Sequence, residues 1–195
     1  MSEQLLLLDV PAARLPEGNW FFALRPGPDS IVSQHLDRLC TILQAQHALS
    51  GPSLGADRFH ISLHPLRGQV CWRHDLIAAA CETVAETTAP FEVTFDRVEN
   101  FPGRFGKRAL VLRAAEGLDA LLNFRQRLGA GLTRGGLGRF EAGTFTPHIT
   151  LLYDRRAVGE QKVDPVAWTI TEFFLVQSLV GESQHIVQGH WPLRG

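Results

Sequence analysis

Two stretches decide how this chain is read: Phe59-His60-Ile61-Ser62-Leu63 (F-H-I-S-L) and Pro147-His148-Ile149-Thr150-Leu151 (P-H-I-T-L). A bare H-x-[S/T] carries little weight, because the histidine, serine and threonine content makes about one such occurrence expected by chance. H-I-[S/T]-L twice, each time on an apolar β-branched run that follows an expected helix, is a far more specific signal. On a strand, residues i and i+2 point to the same face, roughly 6.6–6.8 Å apart along the chain. The imidazole and the hydroxyl of each motif therefore look the same way, while Ile61, Leu63, Ile149 and Leu151 anchor the other face in a core.

Working outward, Asn19–Leu24 is an apolar, aromatic strand stopped by Pro26 and Pro28. Asp29 or Ser30 caps a helix to about Leu49, with Ile31, Leu36, Leu39, Ile42 and Leu43 as its inner stripe. A Gly/Pro/Ser loop, 50–57, leads to the first motif strand, Arg58–Leu66. An alanine-rich helix follows at Asp75–Thr88, then a strand at Phe91–Val98, a Gly-rich turn at Asn100–Lys107 and a returning strand at Arg108–Ala114. A third helix, Leu118–Leu132, ends at Gly135, Gly136 and Gly138, and the second motif strand spans Thr146–Tyr153. Trp168–Leu193 reads as two strands joined at Gly181–Ser183. Strand, helix and motif strand thus occur early and again late. That order implies one α+β domain over 1–195, mainly antiparallel, with two pseudo-symmetric lobes and outer helices around a central cleft. Residues 1–17 read as a poorly ordered lead-in.

Composition narrows the chemistry. With 195 residues, 45% hydrophobic and 20% charged, the chain has the make-up of a globular domain. A net charge of −1 gives no overall field to hold long nucleic acid. Nucleic-acid chemistry here would need a local basic site and a short or terminal substrate. Lys107 and Lys162 are the only lysines, so arginine supplies the rest of the basic charge. Cys40, Cys71 and Cys81 form no paired motif, which fits a reducing compartment, and the chain reads as cytoplasmic. Leu5–Leu8 is too short for a signal segment, and no apolar run approaches the ~18 residues that cross a membrane.

Two histidines with two hydroxyls suit transfer at phosphorus. An unperturbed imidazole titrates near ~6.5, so of two, one can take a proton while the other gives one. Hydroxyls meet the charge on the non-bridging oxygens. Neither a metal nor a covalent intermediate is needed. His60 and His148 are the candidate catalytic pair, with Ser62 and Thr150 as phosphate-binding groups.

These motifs, with the F-F-A-L opening strand and the closing F-F-L-V-Q-S and W-P-L segments, resemble the two-histidine phosphoesterase superfamily, specifically its LigT-like group of 2′-5′ RNA ligases and RNA 2′,3′-cyclic phosphodiesterases. The resemblance runs from Trp20 to 191–193. It implies a bilobal LigT-like fold and hydrolysis of a 2′,3′-cyclic phosphate to a 2′-phosphate, with 2′-5′ ligation as the reverse-type activity. It also implies that His148 activates water and His60 protonates the departing 3′ oxygen. The implied partners are RNA 2′,3′-cyclic phosphate ends or small cyclic nucleotides, with no cofactor, no membrane and no obligate protein partner. The chain departs from the family at Ser62, where threonine is usual, and in H-P-L-R-G at 64–68. It departs also at Tyr153, where an arginine is frequent. Arg155, Arg156 and Arg67 are candidates for that arginine's grip, and Tyr153 a candidate to stack on a base. Phe22 and Phe105 are candidates to line a base pocket.

Other signals in the sequence carry no function. His60 and His64 have the i, i+4 spacing of a helical zinc pair, but they lie on an expected strand with Pro65 after them. His35 and His47 read as surface residues, and His74, His185 and His190 as residues without a role. The glycines at 103–106 and 129–138 match no nucleotide-binding motif and read as turns. A rival function, from a different class, is a binding module that holds a nucleotide or RNA end on the same residues without turnover.

Overall fold

The structure, a computed structural model, describes residues 18–66, 73–103, 105–140, 145–179, 182 and 184–195. The expected lead-in at 1–17 lies outside the described residues, as do Gly181 and Ser183 of the last turn. The elements run β1 (Gly18–Leu24), α1 (Ile31–His47), a 3₁₀ turn (Ala56–Arg58), β2 (Ile61–Leu66), α2 (His74–Glu86), β3 (Phe91–Pro102), β4 (Arg108–Arg113), α3 (Asp119–Arg134), β5 (His148–Asp154), β6 (Gln161–Ile170), β7 (Glu172–Leu179) and β8 (Gln184–Pro192). Among the described residues the strands form one eight-stranded sheet in the order β6-β3-β4-β5-β2-β1-β7-β8. Every neighbouring pair is antiparallel.

The sheet order contains the pseudo-symmetry expected from the repeated motifs. Outward from the centre, β2-β1-β7-β8 on one side matches β5-β4-β3-β6 on the other. The halves join through a single registered pair, Ile61 opposite Ile149. The register repeats in detail. On β1, Phe22 and Ala23 oppose His64 and Ser62, so Leu63 is bulged. On β4, Leu110 and Val111 oppose Leu152 and Thr150, so Leu151 is bulged. Each motif strand thus carries a bulge on its motif leucine, which adds twist and redirects the residues beyond it.

Helix α1 starts where the sequence punctuates it: Ser30 is extended, and its Oγ accepts from the Ser33 amide at 3.1 Å. Its buried stripe is Ser33, Leu36, Leu39, Cys40 and Leu43. The expected stripe included Ile31 and Ile42, but these are 79% and 61% exposed. At 3.6 residues per turn they sit roughly 125–145° round from the centre of the buried stripe, so these two β-branched residues fall outside it. The glycines at 129 and 131 are not turns either; both lie inside α3 and are buried. A β-carbon on Gly131 would stand 2.7 Å from Cγ2 of Val84, so its absence lets α3 approach α2 closely.

Strand β6 was not expected. Its sequence Q-K-V-D-P-V-A-W-T-I carries Asp164 and Pro165, which argue against a strand, yet β6 is an edge and pairs only with β3. The register with β3 breaks between Phe95 and Arg97, close to that proline. An edge or a bulge tolerates the missing N–H of proline. One continuous core gathers α1, α2 and α3 with the inward faces of the strands. Its aromatic centre is Phe22, Phe124, Phe173 and Trp191, with the Phe173 ring 5.3 Å from both Phe124 and Trp191. Ile61, Leu63, Ile149 and Leu151 are all in this core, as their alternation with the motif histidines implied.

Candidate active site

Ile61 and Ile149 oppose each other and are fully buried, so the residues on either side of each point to the opposite, open face. His60 and Ser62 from one half, and His148 and Thr150 from the other, therefore share that face. Continuing the antiparallel register by one residue sets His60 beside Thr150 and Ser62 beside His148. The two imidazoles then lie on one diagonal and the two hydroxyls on the other. The structure thus brings together four residues that the sequence separates by almost ninety positions.

Both imidazoles are anchored in the same way. Nδ1 of His60 is 2.7 Å from the Arg58 carbonyl, and Nδ1 of His148 is 2.8 Å from the Thr146 carbonyl, each two residues back along the chain. A carbonyl only accepts, so each Nδ1 donates, and in the neutral ring the lone pair falls on Nε2. His60 Nε2 lies 3.1 Å from Ser62 Oγ, whose hydroxyl can donate to it.

The surroundings differ. The His60 ring is 5.1 Å from Phe21 and 5.1 Å from His185, while the His148 ring is 4.9 Å from Phe101. Burial pushes His60 down to about 4. The Arg58 carbonyl opposes this, and the positive ends of His185, Arg25 and His148 add to it. His185 is likewise held at about 4, by burial first and then by Arg58 and Arg25. Near neutral pH the ligand-free chain therefore keeps His60 uncharged, with its Nε2 lone pair turned towards Ser62.

The bulge at Leu63 separates His64 from this group. His64 faces the core, 3% exposed, with Nε2 2.8 Å from the Arg125 carbonyl on α3. Residues 60, 62 and 64 would share one face of a regular strand, but the extra residue turns the third away. His60 and His64 thus lie on opposite sides of the sheet. Among the described residues no group of three or more His, Cys, Asp or Glu side chains is arranged to hold a metal ion. Nor is any helix among them long and apolar enough to cross a membrane.

The remaining candidates fare unequally. Phe22 is fully buried against Phe173 and Trp191, so it is core and makes no substrate contact. It opposes His64, and the residue that reaches the histidine face is its neighbour Phe21, because strand side chains alternate. Tyr153 opposes Ala109 on β4, two residues from Val111, which opposes Thr150. Tyr153 therefore shares the Thr150 face and is 43% exposed. Arg155 and Arg156 are exposed and lie beyond the far end of β5. They follow a bend after the end of β5 opposite His148, with the Arg156 amide donating to Asp154 Oδ1. Phe105 is 95% exposed in the β3–β4 turn. Arg67 lies outside the described residues. The sequence reading missed Phe21, Phe101 and His185. Period-two alternation within N-W-F-F-A-L could have selected Phe21, whereas nothing local singles out His185.

Comparison with known proteins supplies the family and the fold. A family model described as the 2′-5′ RNA ligase superfamily matches residues 27–182. No curated protein matches. Among solved structures the chain is similar to a phosphoesterase with a TM-score of 0.68, at 20% identity over 92% of this chain and 99% of that one. It is similar to TT0787 of Thermus thermophilus with a TM-score of 0.68, at 21% identity over 91% and 98%. It is also similar to E. coli LigT complexed with NADP+, with a TM-score of 0.66, at 21% identity over 93% and 100%. At these identities the likeness is one of fold: a LigT-like α+β architecture.

Proposed function

The chain belongs to the 2′-5′ RNA ligase superfamily, and from that premise we propose that it is a phosphodiesterase which opens 2′,3′-cyclic phosphates on RNA ends or small nucleotides to 2′-phosphates. The observation that carries this reading is the matched pair of motifs on adjacent strands, with both imidazoles anchored through Nδ1 and facing the same side. A pure binding site has no need of two proton-transfer groups in this arrangement. That E. coli LigT was solved with 3′-AMP is in keeping with a nucleotide-sized ligand.

In the proposed reaction, Ser62 and Thr150 donate to the non-bridging oxygens of the cyclic phosphate. His148 accepts a proton at Nε2 from water as the water oxygen bonds to phosphorus. The P–O3′ bond breaks and His60 protonates O3′, leaving the phosphate on O2′. Atoms and charge balance without a further reactant, and His148 then returns its proton to solvent. If a 5′-hydroxyl attacks in place of water, the same O3′ departure leaves a 2′-5′ linkage. His60 is uncharged in the ligand-free chain, so the proton it donates must enter with the substrate, whose anionic phosphate offsets the neighbouring positive ends. Ser62 then turns from Nε2 to a phosphate oxygen.

The test is a panel of 2′,3′-cyclic nucleotides and cyclic-phosphate-ended oligonucleotides incubated with the protein and EDTA, with products separated as 2′- and 3′-phosphates. Formation of 2′-phosphates, lost in His148→Ala while ligand affinity persists, is the expected result. Tight binding without turnover of any substrate would replace the enzyme with a binding module.

A further inference from the structure

Beside His60, towards β8, lies a cavity of about 580 Å³ lined by Arg25, Leu54, Asp57, Arg58, His185 and Val187, among others. It opens next to the reacting groups: the His185 ring is 5.1 Å from His60 and 5.6 Å from Phe21, and Arg58 supplies the carbonyl that anchors His60. Two guanidinium groups and one carboxylate face it. Arg25 is engaged, since its Nη2 donates to the Asp57 carbonyl and the Asp57 carboxylate partly offsets the burial that disfavours its charge. Arg58 is not: among the described residues its side chain makes no hydrogen bond or ion pair, and its Nε is buried without a partner. Nδ1 of His185 is likewise buried without a partner among the described residues. Buried polar groups are almost always satisfied, and both of these nitrogens belong to side chains that line this cavity, so the pair is left with hydrogen-bonding capacity beside it. The field there is positive, because Arg58 and Arg25 both disfavour a proton on His185.

We propose that this cavity is a subsite for a second phosphate of the substrate, one nucleotide unit from the reacting phosphorus, gripped by the guanidinium of Arg58 and the imidazole of His185. The proposal rests on the catalytic reading of His60 and His148 and names the substrate class they serve. That class is nucleotides or RNA ends carrying another phosphate next to the cyclic one, in preference to bare nucleoside cyclic phosphates. Arginine suits this task, because its planar fork meets a phosphate through two parallel hydrogen bonds. Leu54, Ile186 and Val187 supply the apolar wall that a ribose or base would cover.

The test compares kcat/KM for adenosine 2′,3′-cyclic phosphate, for its 5′-phosphorylated form and for a dinucleotide ending in the same cyclic phosphate. The last two separate a terminal phosphate from an internal diester as the source of the second group. The expected result is a preference of about tenfold or more for at least one form with the second phosphate. That preference should collapse in Arg58→Met and shrink in His185→Gln. Equal kcat/KM for all three substrates, or a preference untouched by Arg58→Met, would overturn the subsite. Should no substrate turn over, the catalytic reading has failed by itself. The subsite is then read by calorimetry as the ratio of affinities for adenosine 3′,5′-bisphosphate and adenosine 3′-monophosphate. A ratio near one overturns it, and a ratio of about ten that falls in Arg58→Met upholds it.

Discussion

The uncharged His60 of the free chain gives the account a quantitative consequence. Burial and neighbouring positive ends hold this imidazole at about 4, so placing a proton on it at pH 7 costs about 4 kcal/mol, at roughly 1.36 kcal/mol per pH unit. A singly charged phosphodiester about 4 Å away returns about 4 kcal/mol at an effective dielectric constant near 20. The two nearly cancel, so in the complex His60 should titrate at about 7. The sign follows. Between the free value and the bound value, the complex holds up to one more proton than its parts, so affinity rises as pH falls, by about fivefold from pH 7 to pH 6 and about 45-fold from pH 7 to pH 5. Uptake should approach one proton near pH 5.5 and about half a proton at pH 7. The assay is isothermal titration calorimetry with a deoxydinucleotide, whose single phosphodiester keeps one charge throughout, in two buffers of different ionisation enthalpy. A pH-independent Kd with no proton uptake would refute the reasoning. So would a full pH dependence surviving in His60→Gln, since the proton would then be landing elsewhere.

Three further outcomes concern the scaffold. Asp154 receives the Arg156 amide at 2.8 Å and the Gly51 and Ser50 amides at 2.7 Å each, bonds that hold its carboxyl at about 2 against the opposing effect of burial. Because the folded value lies below the unfolded one, its contribution is present above about pH 4 and fades as pH falls towards 2. Asp154→Asn should cost about 1–3 kcal/mol in urea unfolding at pH 7, with the gap to wild type closing in acid. Gly131→Ala drives a β-carbon to 2.7 Å from Val84 and should destabilise by about 1–3 kcal/mol; adding Val84→Ala should recover part of that loss, read as a shift in Tm. Ser30→Ala removes the cap on α1 and should cost about 0.5–2 kcal/mol by the same denaturation assay.

Much of this was legible from residue types alone, and what was missed has physical causes. The two motif strands stood out because β-branched core anchors alternate with polar groups, which only a half-buried strand requires. The helices and their order followed from caps, glycine stops and apolar spacing, although Ile31 and Ile42 show that apolar residues on a helix need not face inward. Strand β6 was hidden because its proline and charges are tolerated only at an edge next to a bulge, and an edge is a property of the assembled sheet. The bulges at Leu63 and Leu151 were equally invisible, since they arise from register with β1 and β4. Their effect on His64 could not be read from the even spacing of 60, 62 and 64. Phe22 and Phe21 differ only in the parity of the strand, which sends Phe22 into the core and Phe21 to the histidine face. His185 reaches His60 from more than a hundred residues away, through β1 and β7, and no local pattern marks it.

The central claim is that two imidazoles act as a unit on one phosphorus atom, and single-turnover kinetics of His60→Ala, His148→Ala and the double variant on a 2′,3′-cyclic phosphate test it most directly. Each single substitution should cost about 10²–10⁴ in rate, and the double variant should lose little more than the worse single one, as groups acting in one step do. Full activity in either single variant, or losses that multiply in the double, would contradict it.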